Sequence, residues 1–312
     1  MNTYLLISLG LLLSCGSVKQ NRNTTTDAQL LSDVEILSSD SYEGRKTDTK
    51  GAEMTRAYLT KRFTAIGLKS FPELNGYEQA FSFETDKGKV NGKNMIGYIE
   101  GKTDEIIVVS AHYDHIGIIN NEVYNGADDN ASGVAALLKF AAYFKQNKPQ
   151  HTLIFAAFDA EEMGLRGSKA FIEQPPIALE KINLNINMDM ISRSDKNELY
   201  VCGTFKYPEL KKYFTTTNPT IKILFGHDDP KTGHNDWTNQ SDHSSFNARN
   251  IPFLYFGVED HKDYHKSSDD YKNINKEFFN NAASGILEII NNIDKERDIQ
   301  KIFHEKVRMK RQ

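Results

Sequence analysis

The sequence predicts an α/β fold: a three-layer α/β/α sandwich with a largely parallel, mixed central sheet, built as a single domain. Three observations carry that prediction. Short apolar runs such as "EIIVVS", "HTLIFAAF" and "IPFLYFGV" have the length and the β-branched or aromatic content of buried strands. Helical stretches such as "SGVAALLKFAAYFK" lie between several of them, and strand–helix alternation implies a largely parallel sheet covered on both faces. The chain has 312 residues, 39% hydrophobic and 26% charged, enough to bury one large core.

From the N-terminus, "YLLISLGLLLSCGS" is too short to span a bilayer and fits the apolar part of a secretory signal. Its end, Leu12-Leu13-Ser14 before Cys15, resembles a bacterial lipobox. That resemblance implies a signal peptide over 1–14, a lipidated Cys15 and a membrane-tethered, exported protein. No Lys or Arg precedes the apolar run, which leaves an ordinary signal peptide or an apolar helix open. Residues 15–28 are polar and aperiodic and read as a tether. Cys202 has no obvious partner, so no disulfide framework is expected.

A folded domain is expected over 29–295. "LLSDVEILSS" and "GAEMTRAYLTKRFTAIG" carry apolar residues at helical spacing, the second closing at Gly67. "YEQAFSFET" and "KNMIGYIEG" alternate as half-buried strands do. "EIIVVS", "HTLIFAAF", "INLNINMDM", "ELYVCG" and "IPFLYFGV" supply the remaining strands, and "NNAASGILEIINNI" a late helix. The charged tail over 296–312 ends in "HEKVRMKRQ", which reads as a solvated helix end. A net charge of −4 gives no electrostatic footprint for nucleic acid.

The strands end in residues that carry chemistry. "EIIVVSA" runs into His112-Tyr113-Asp114, "LIFAAFDA" into Glu161-Glu162, "NLNINM" into Asp189, and "IPFLYFGVED" leads to His265. Asp128 and Asp129 immediately precede an amphipathic helix. Each has an ordinary reading: Asp129 as a helix cap, the two glutamates as a charged turn, His112 as a satisfied core histidine. Their coincidence at strand ends outweighs those readings, because a parallel sheet delivers such side chains to one crevice. Imidazole and carboxylate without thiolate suit zinc, manganese or a related divalent ion. A two-metal site needs one bridging carboxylate and about one histidine and one carboxylate per ion. These clusters supply that set with one glutamate to spare, placed where a general base would stand.

"AHYDHIG", "NGADDNASGVAALL", "AAFDAEEMGLRGS", "NMDM" and "YHKSSDD" together resemble the co-catalytic di-zinc exopeptidases, the family of bacterial secreted aminopeptidases and glutamate carboxypeptidase. "SYEGRKTDTKGAEMTRAYLTKRFTAIGL" looks like the N-terminal helices of that family. The resemblance implies two Zn²⁺ ions and a peptide substrate. His112 and Asp189 would bind one ion, Glu162 and His265 the other, and Asp129 would bridge them. It also implies that Asp114 holds His112 in its metal-binding tautomer and that Glu161 is the general base and acid. His115 matches no ligand role and reads as a turn or rim residue; His261 fits the pattern less well than His265. Asp242 and His243, in "SDHSSF", are assigned to the pocket rim, and the loop "GHDDPKTGHNDWTNQ" is a candidate for shaping specificity.

Cleavage from a free N-terminus is expected. A carboxypeptidase needs Arg or Lys for the terminal carboxylate, whereas Arg166, Arg193 and Arg249 are few beside the acids Asp128, Asp195, Asp242, Asp260 and Asp263. Carboxypeptidase, glutaminyl cyclase of the same fold, and a non-catalytic scaffold remain the competing readings.

Overall fold

The computed structural model of the protein describes residues 17–215 and 220–303, with side chains from Asp27 onward. The signal segment, Cys15 and "HEKVRMKRQ" lie outside the described residues. The chain opens with α1 (Ser17–Leu37) and α2 (Lys50–Ile66), followed by β1 (Glu78–Thr85), β2 (Gly88–Ile99) and β3 (Ile106–His112). A small hairpin, β4 (Gly117–Ile119) with β5 (Glu122–Tyr124), precedes α3 (Gly133–Gln146) and β6 (Thr152–Phe158). Next come α4 (Arg166–Glu173), β7 (Ile182–Met188), β8 (Glu198–Cys202), β9 (Lys222–Phe225), α5 (His243–Asn247), β10 (Phe253–Gly257) and α6 (Lys276–Asp294).

Eight strands form one mixed sheet in the order β1-β2-β6-β3-β7-β10-β8-β9. Its centre, β6, β3, β7 and β10, is parallel, while β1, β2 and β8 join antiparallel to their inner neighbours. All seven residues of β3 and of β7 are buried, because both faces of a central parallel strand are covered; β3 is apolar apart from Ser110 and its terminal His112, and the buried Asn185 and Asn187 of β7 are hydrogen-bonded to Ser110. Successive side chains of β3 enter opposite layers. Ile107, Val109 and Ala111 pack with Leu30, Val34, Phe63, Phe140 and Ile286 of the α1, α2, α3 and α6 layer. Ile106 and Val108 face the other layer, with Phe171 of α4 and Phe246 of α5. Burying each such aliphatic or aromatic side chain stabilises the fold by about 1.5–3 kcal/mol.

Local signals set the helix ends. Thr49 Oγ1 accepts the Ala52 N–H at 3.5 Å at the start of α2, and Gly67 closes that helix in the left-handed region at φ 81°. Three boundaries differ from those expected. Helix α1 begins at Ser17 and takes in most of the polar stretch expected to be a tether. Helices α4 and α5 add to the expected elements; with eight and five residues they are too short to show a clear period in the sequence. The packed domain also continues past 295, because Ile299 and Ile302 are buried against the core. Glu105 accepts the N–H groups of Ile299 and Gln300 there, at 3.1 and 3.2 Å.

Candidate metal centre

Because β3, β6, β7 and β10 run parallel, their C-terminal ends meet at one edge of the sheet. His112 is the last residue of β3, and Asp189 directly follows β7. Glu161 and Glu162 follow β6 after Ala160, whose φ of 56° turns the chain sharply at the strand end. His265 lies in the loop after β10, and Asp129 in the turn that leads into α3.

The side chains form two donor groups that share Asp129. His112 Nε2 lies 3.3 Å from Asp129 Oδ1 and 3.2 Å from Asp189 Oδ1. On the other side, Asp129 Oδ2 lies 3.1 Å from His265 Nε2, which is 3.4 Å from Glu162 Oε2. His115 Nδ1 sits 2.8 Å from Glu162 Oε1 and 3.6 Å from Asp129 Oδ2. Donors bound to one tetrahedral ion at about 2.0–2.2 Å are about 3.4 Å apart. The two groups have that spacing, and each oxygen of Asp129 faces a different one.

The electrostatics ask for cations. Burial opposes protonation of His112, yet Asp189 and Glu161 outweigh it and hold the imidazole well above its ordinary range. His265 is pushed up to about 10 against the cost of burial, chiefly by hydrogen bonds to Asp129 and Glu162. Asp129 is held well below the ordinary carboxylate range despite burial, by His115, His112 and His265. Glu161 moves the other way. Burial raises its carboxyl strongly, His112 offsets part of this, and Asp189, Asp242 and Glu162 add to it. Packed carboxylates that draw protons onto their imidazoles have the charge deficit that divalent ions would fill, so the residues present fit the metal that the motifs imply.

Asp114 ties the centre together. Its carboxylate accepts the N–H groups of Glu161 and Glu162 at 3.0 and 3.3 Å. His112 Nδ1 lies 3.1 Å from the Asp114 carbonyl oxygen and 3.6 Å from Oδ1. A second brace comes from the "SSDD" motif, where Asp269 Oδ2 accepts the N–H groups of Asp128 and Asp129 at 3.1 and 3.0 Å.

Several expectations need correction. His115 is no rim residue: its side chain is fully buried and its ring faces Glu162. Asp242 and His243 lie beneath the site rather than on its rim, both fully buried. Burial pushes Asp242 up to about 7 and His243 down to about 4. Asp128 turns away from the cleft to accept from Ser192 N and Oγ, at 2.6 and 2.7 Å, and from His261 Nε2 at 3.0 Å. Asp263 pairs with Arg193, and Asp195 is exposed. Asp260 does line the cleft, a space of about 440 Å³ walled by Trp237, Tyr255 and Tyr264. Trp237, Asn239 and Gln240 come from the loop expected to shape specificity.

One buried residue carries a role that no sequence motif marks. Arg45 donates Nε–H to the Tyr113 carbonyl at 2.8 Å, and its terminal nitrogens donate to the carbonyls of Leu37, Asn125 and Gly126 at 2.9, 2.5 and 2.9 Å. It thereby ties the main chain just after His112 to that just before Asp129. The neighbouring Gly44 has φ 64°, and a Cβ there would stand 2.4 Å from the Tyr124 carbonyl oxygen. An Arg after such a glycine is the one signal available in the sequence.

Comparison with known proteins gives consistent results. The sequence pattern of peptidase family M28 matches residues 94–290, more than half of the chain. Aminopeptidase YwaD of Bacillus subtilis is 34% identical over 115 residues, covering 35% of this chain and 24% of that protein. A glutamate carboxypeptidase 2 homolog of Caenorhabditis elegans is 35% identical over 127 residues, 38% of this chain and 16% of that protein. The alkaline phosphatase isozyme conversion protein of Escherichia coli is 24% identical over 189 residues, 56% of this chain and 54% of that protein. The chain thus spans about half or less of the length of these relatives. Among solved structures, a Zn-dependent exopeptidase from Parabacteroides distasonis superposes with a TM-score of 0.66 at 20% identity, covering 86% of this chain and 98% of that one. A Bacteroides thetaiotaomicron glutaminyl cyclase does so with 0.68 at 20% identity, covering 86% and 97%. The shared fold and the extent of the sequence match make this chain a member of peptidase family M28.

Proposed function

We propose that the protein is an exported, zinc-dependent exopeptidase that removes residues from the free N-terminus of peptides. The observation that carries this reading is the division of Asp129 between two donor groups, with Glu161 left beside them in the cleft. His112 and Asp189 would hold one zinc ion, Glu162 and His265 the second, and Asp129 would bridge both. Zinc bound there supplies a more acidic water and a polarised scissile carbonyl.

The chain's own groups do the rest. Glu161 accepts a proton from the attacking water at its carboxylate and then passes it to the departing amine. Burial of Glu161, and then the acids around it, favour that uptake. Asp114 orients His112 and anchors the main chain of both glutamates, so the base and the ligands keep a common frame.

Charge supports an N-terminal substrate. Among the described residues lining the cleft, Lys169 is the one strong base, while Asp260 and the site carboxylates suit an ammonium group. Arg166 instead lies over the Phe83 ring at 5.1 Å, and Arg193 is engaged by Asp263. The test compares a short peptide bearing a free N-terminus with its N-acetylated twin, both amidated at the C-terminus. Cleavage of the free form alone is expected. Equal cleavage of both, or cleavage that requires a free C-terminal carboxylate, overturns the aminopeptidase reading.

Export and tethering rest on the apolar leader and on Cys15 as the site of lipid attachment. Among the described residues no helix is long and apolar enough to cross a membrane.

A further inference from the structure

We infer that His115 is a positioning residue for the second metal site: its Nδ1–H holds Glu162 Oε1 and leaves Oε2 as the oxygen offered to the ion. The inference rests on the two-metal reading above and assigns a role to His115, which that reading does not use.

His115 Nδ1 lies 2.8 Å from Glu162 Oε1 and 3.6 Å from Asp129 Oδ2. The first distance is that of an N–H donor to a carboxylate. The other oxygen of Glu162 faces His265 Nε2 at 3.4 Å. Glu162 is therefore gripped at one oxygen, and the remaining one points into the donor group that contains Asp129 and His265. Its main chain is held as well, through the N–H donated to Asp114.

A fourth-ligand role for His115 is the alternative, and the far side of the ring decides against it. Nε2 of His115 is buried and has no hydrogen-bond partner among the described residues. A histidine that ligates through Nδ1 must carry its proton on Nε2, and a buried N–H donor without an acceptor is rare and costly. Ligand histidines ordinarily give that second N–H to a carboxylate or carbonyl, as His112 can give Nδ1–H to the Asp114 carbonyl at 3.1 Å. With the proton on Nδ1, His115 makes its bond to Glu162 and leaves only a lone pair buried. The ring is also locked in place: a Cβ on Gly126 would stand 2.6 Å from it.

Three variants of the full chain separate the roles: His115→Asn, whose amide N–H can replace the Nδ1 donor but is a poor zinc ligand, and His115→Leu and His115→Ala, which cannot donate. The readouts are zinc affinities of the metal-free protein by chelator competition and the visible spectrum of the cobalt-loaded protein. Loss of a partner outside the coordination sphere typically weakens metal binding by about 10–100-fold. We expect that weakening for the second ion in the Leu and Ala variants, with the first ion unaffected. The Asn variant should stay within about threefold of wild type and keep its cobalt spectrum. Loss of the second ion and a changed spectrum in the Asn variant would make His115 a ligand; unchanged affinities in the Leu variant would make it packing alone. Either result overturns the inference. Failure of the two-metal reading is seen separately, as fewer than two ions bound by the wild-type chain.

Discussion

Replacing Arg45 with Met should destabilise the metal-free protein by about 3 kcal/mol and loosen the metal centre as a consequence. Four main-chain carbonyls, from Leu37, Tyr113, Asn125 and Gly126, accept from this one guanidinium at 2.5–2.9 Å. Charge-assisted bonds of this kind contribute about 1.5 kcal/mol each at the low end, so the gross loss is about 6 kcal/mol. Removing the charge returns part of that. Burial lowers the guanidinium pKa from 12.5 to about 10, which corresponds to about 3 kcal/mol. The net loss should lower Tm by roughly 6–12 °C in a domain of this size. The assay is thermal and urea unfolding of chelator-treated protein, so that lost stability is read apart from lost metal. Arg45→Lys, which keeps the charge but not the fork of donors, should fall between the two. A Tm within about 2 °C of wild type for Arg45→Met would contradict this role, because it would mean the carbonyls find other partners at no cost.

Asp129→Ala should abolish tight binding of both ions, while Asp189→Ala should weaken chiefly the ion shared with His112; metal titration distinguishes them, and two tight ions in Asp129→Ala would place the bridge elsewhere. A pH effect arises from His243, which is fully buried, donates Nε2–H to the Trp237 carbonyl at 3.0 Å, and is lowered to about 4 from 6.5, first by burial. Its unfolded form therefore binds the proton more readily between pH 6.5 and 4, so its contribution is complete above pH 6.5 and is lost as the pH falls through that window, by up to about 3 kcal/mol. His243→Gln keeps the donor without the titration and should show a shallower stability loss between pH 7 and 4 by urea unfolding; parallel profiles would remove His243 from the account. Cys15→Ala should release the protein from membranes or block its processing, and unchanged fractionation and mass would dismiss the lipid anchor.

The site is largely legible in the sequence because of how a parallel sheet works. Strands buried on both faces hold few ionisable side chains, so the residue where "EIIVVSA" gives way to His112, or "NLNINM" to Asp189, marks the edge where ionisable groups can stand. His115 misleads because nothing in "AHYDHIG" says which way the chain turns after β3. Its inward setting shows only in the burial of the ring and its approach to Gly126, both of which are tertiary facts. Arg45 is illegible for a different reason: its partners are backbone carbonyls, which leave no complementary residue type in the sequence. Asp242 and Asp128 look like pocket acids by composition, yet burial and a pairing with His261 take them out of the cleft. Residues past 295 look like a solvated tail because charges dominate them, and only contact with the core reveals that Ile299 belongs inside.

The most direct measurement is the zinc content and turnover of Glu161→Gln beside those of the wild-type protein. Glu161 lines the cleft next to both donor groups, and the change from Glu to Gln removes a proton acceptor with almost no change in shape. General-base assistance is worth about 10²–10⁴-fold, or about 2.7–5.5 kcal/mol of barrier. Two zinc ions per chain are expected in both proteins, with a loss in kcat of at least a hundredfold in the variant. Two ions with less than a tenfold loss would contradict Glu161 as the base, and fewer than two ions in the wild-type chain would contradict the shared role of Asp129.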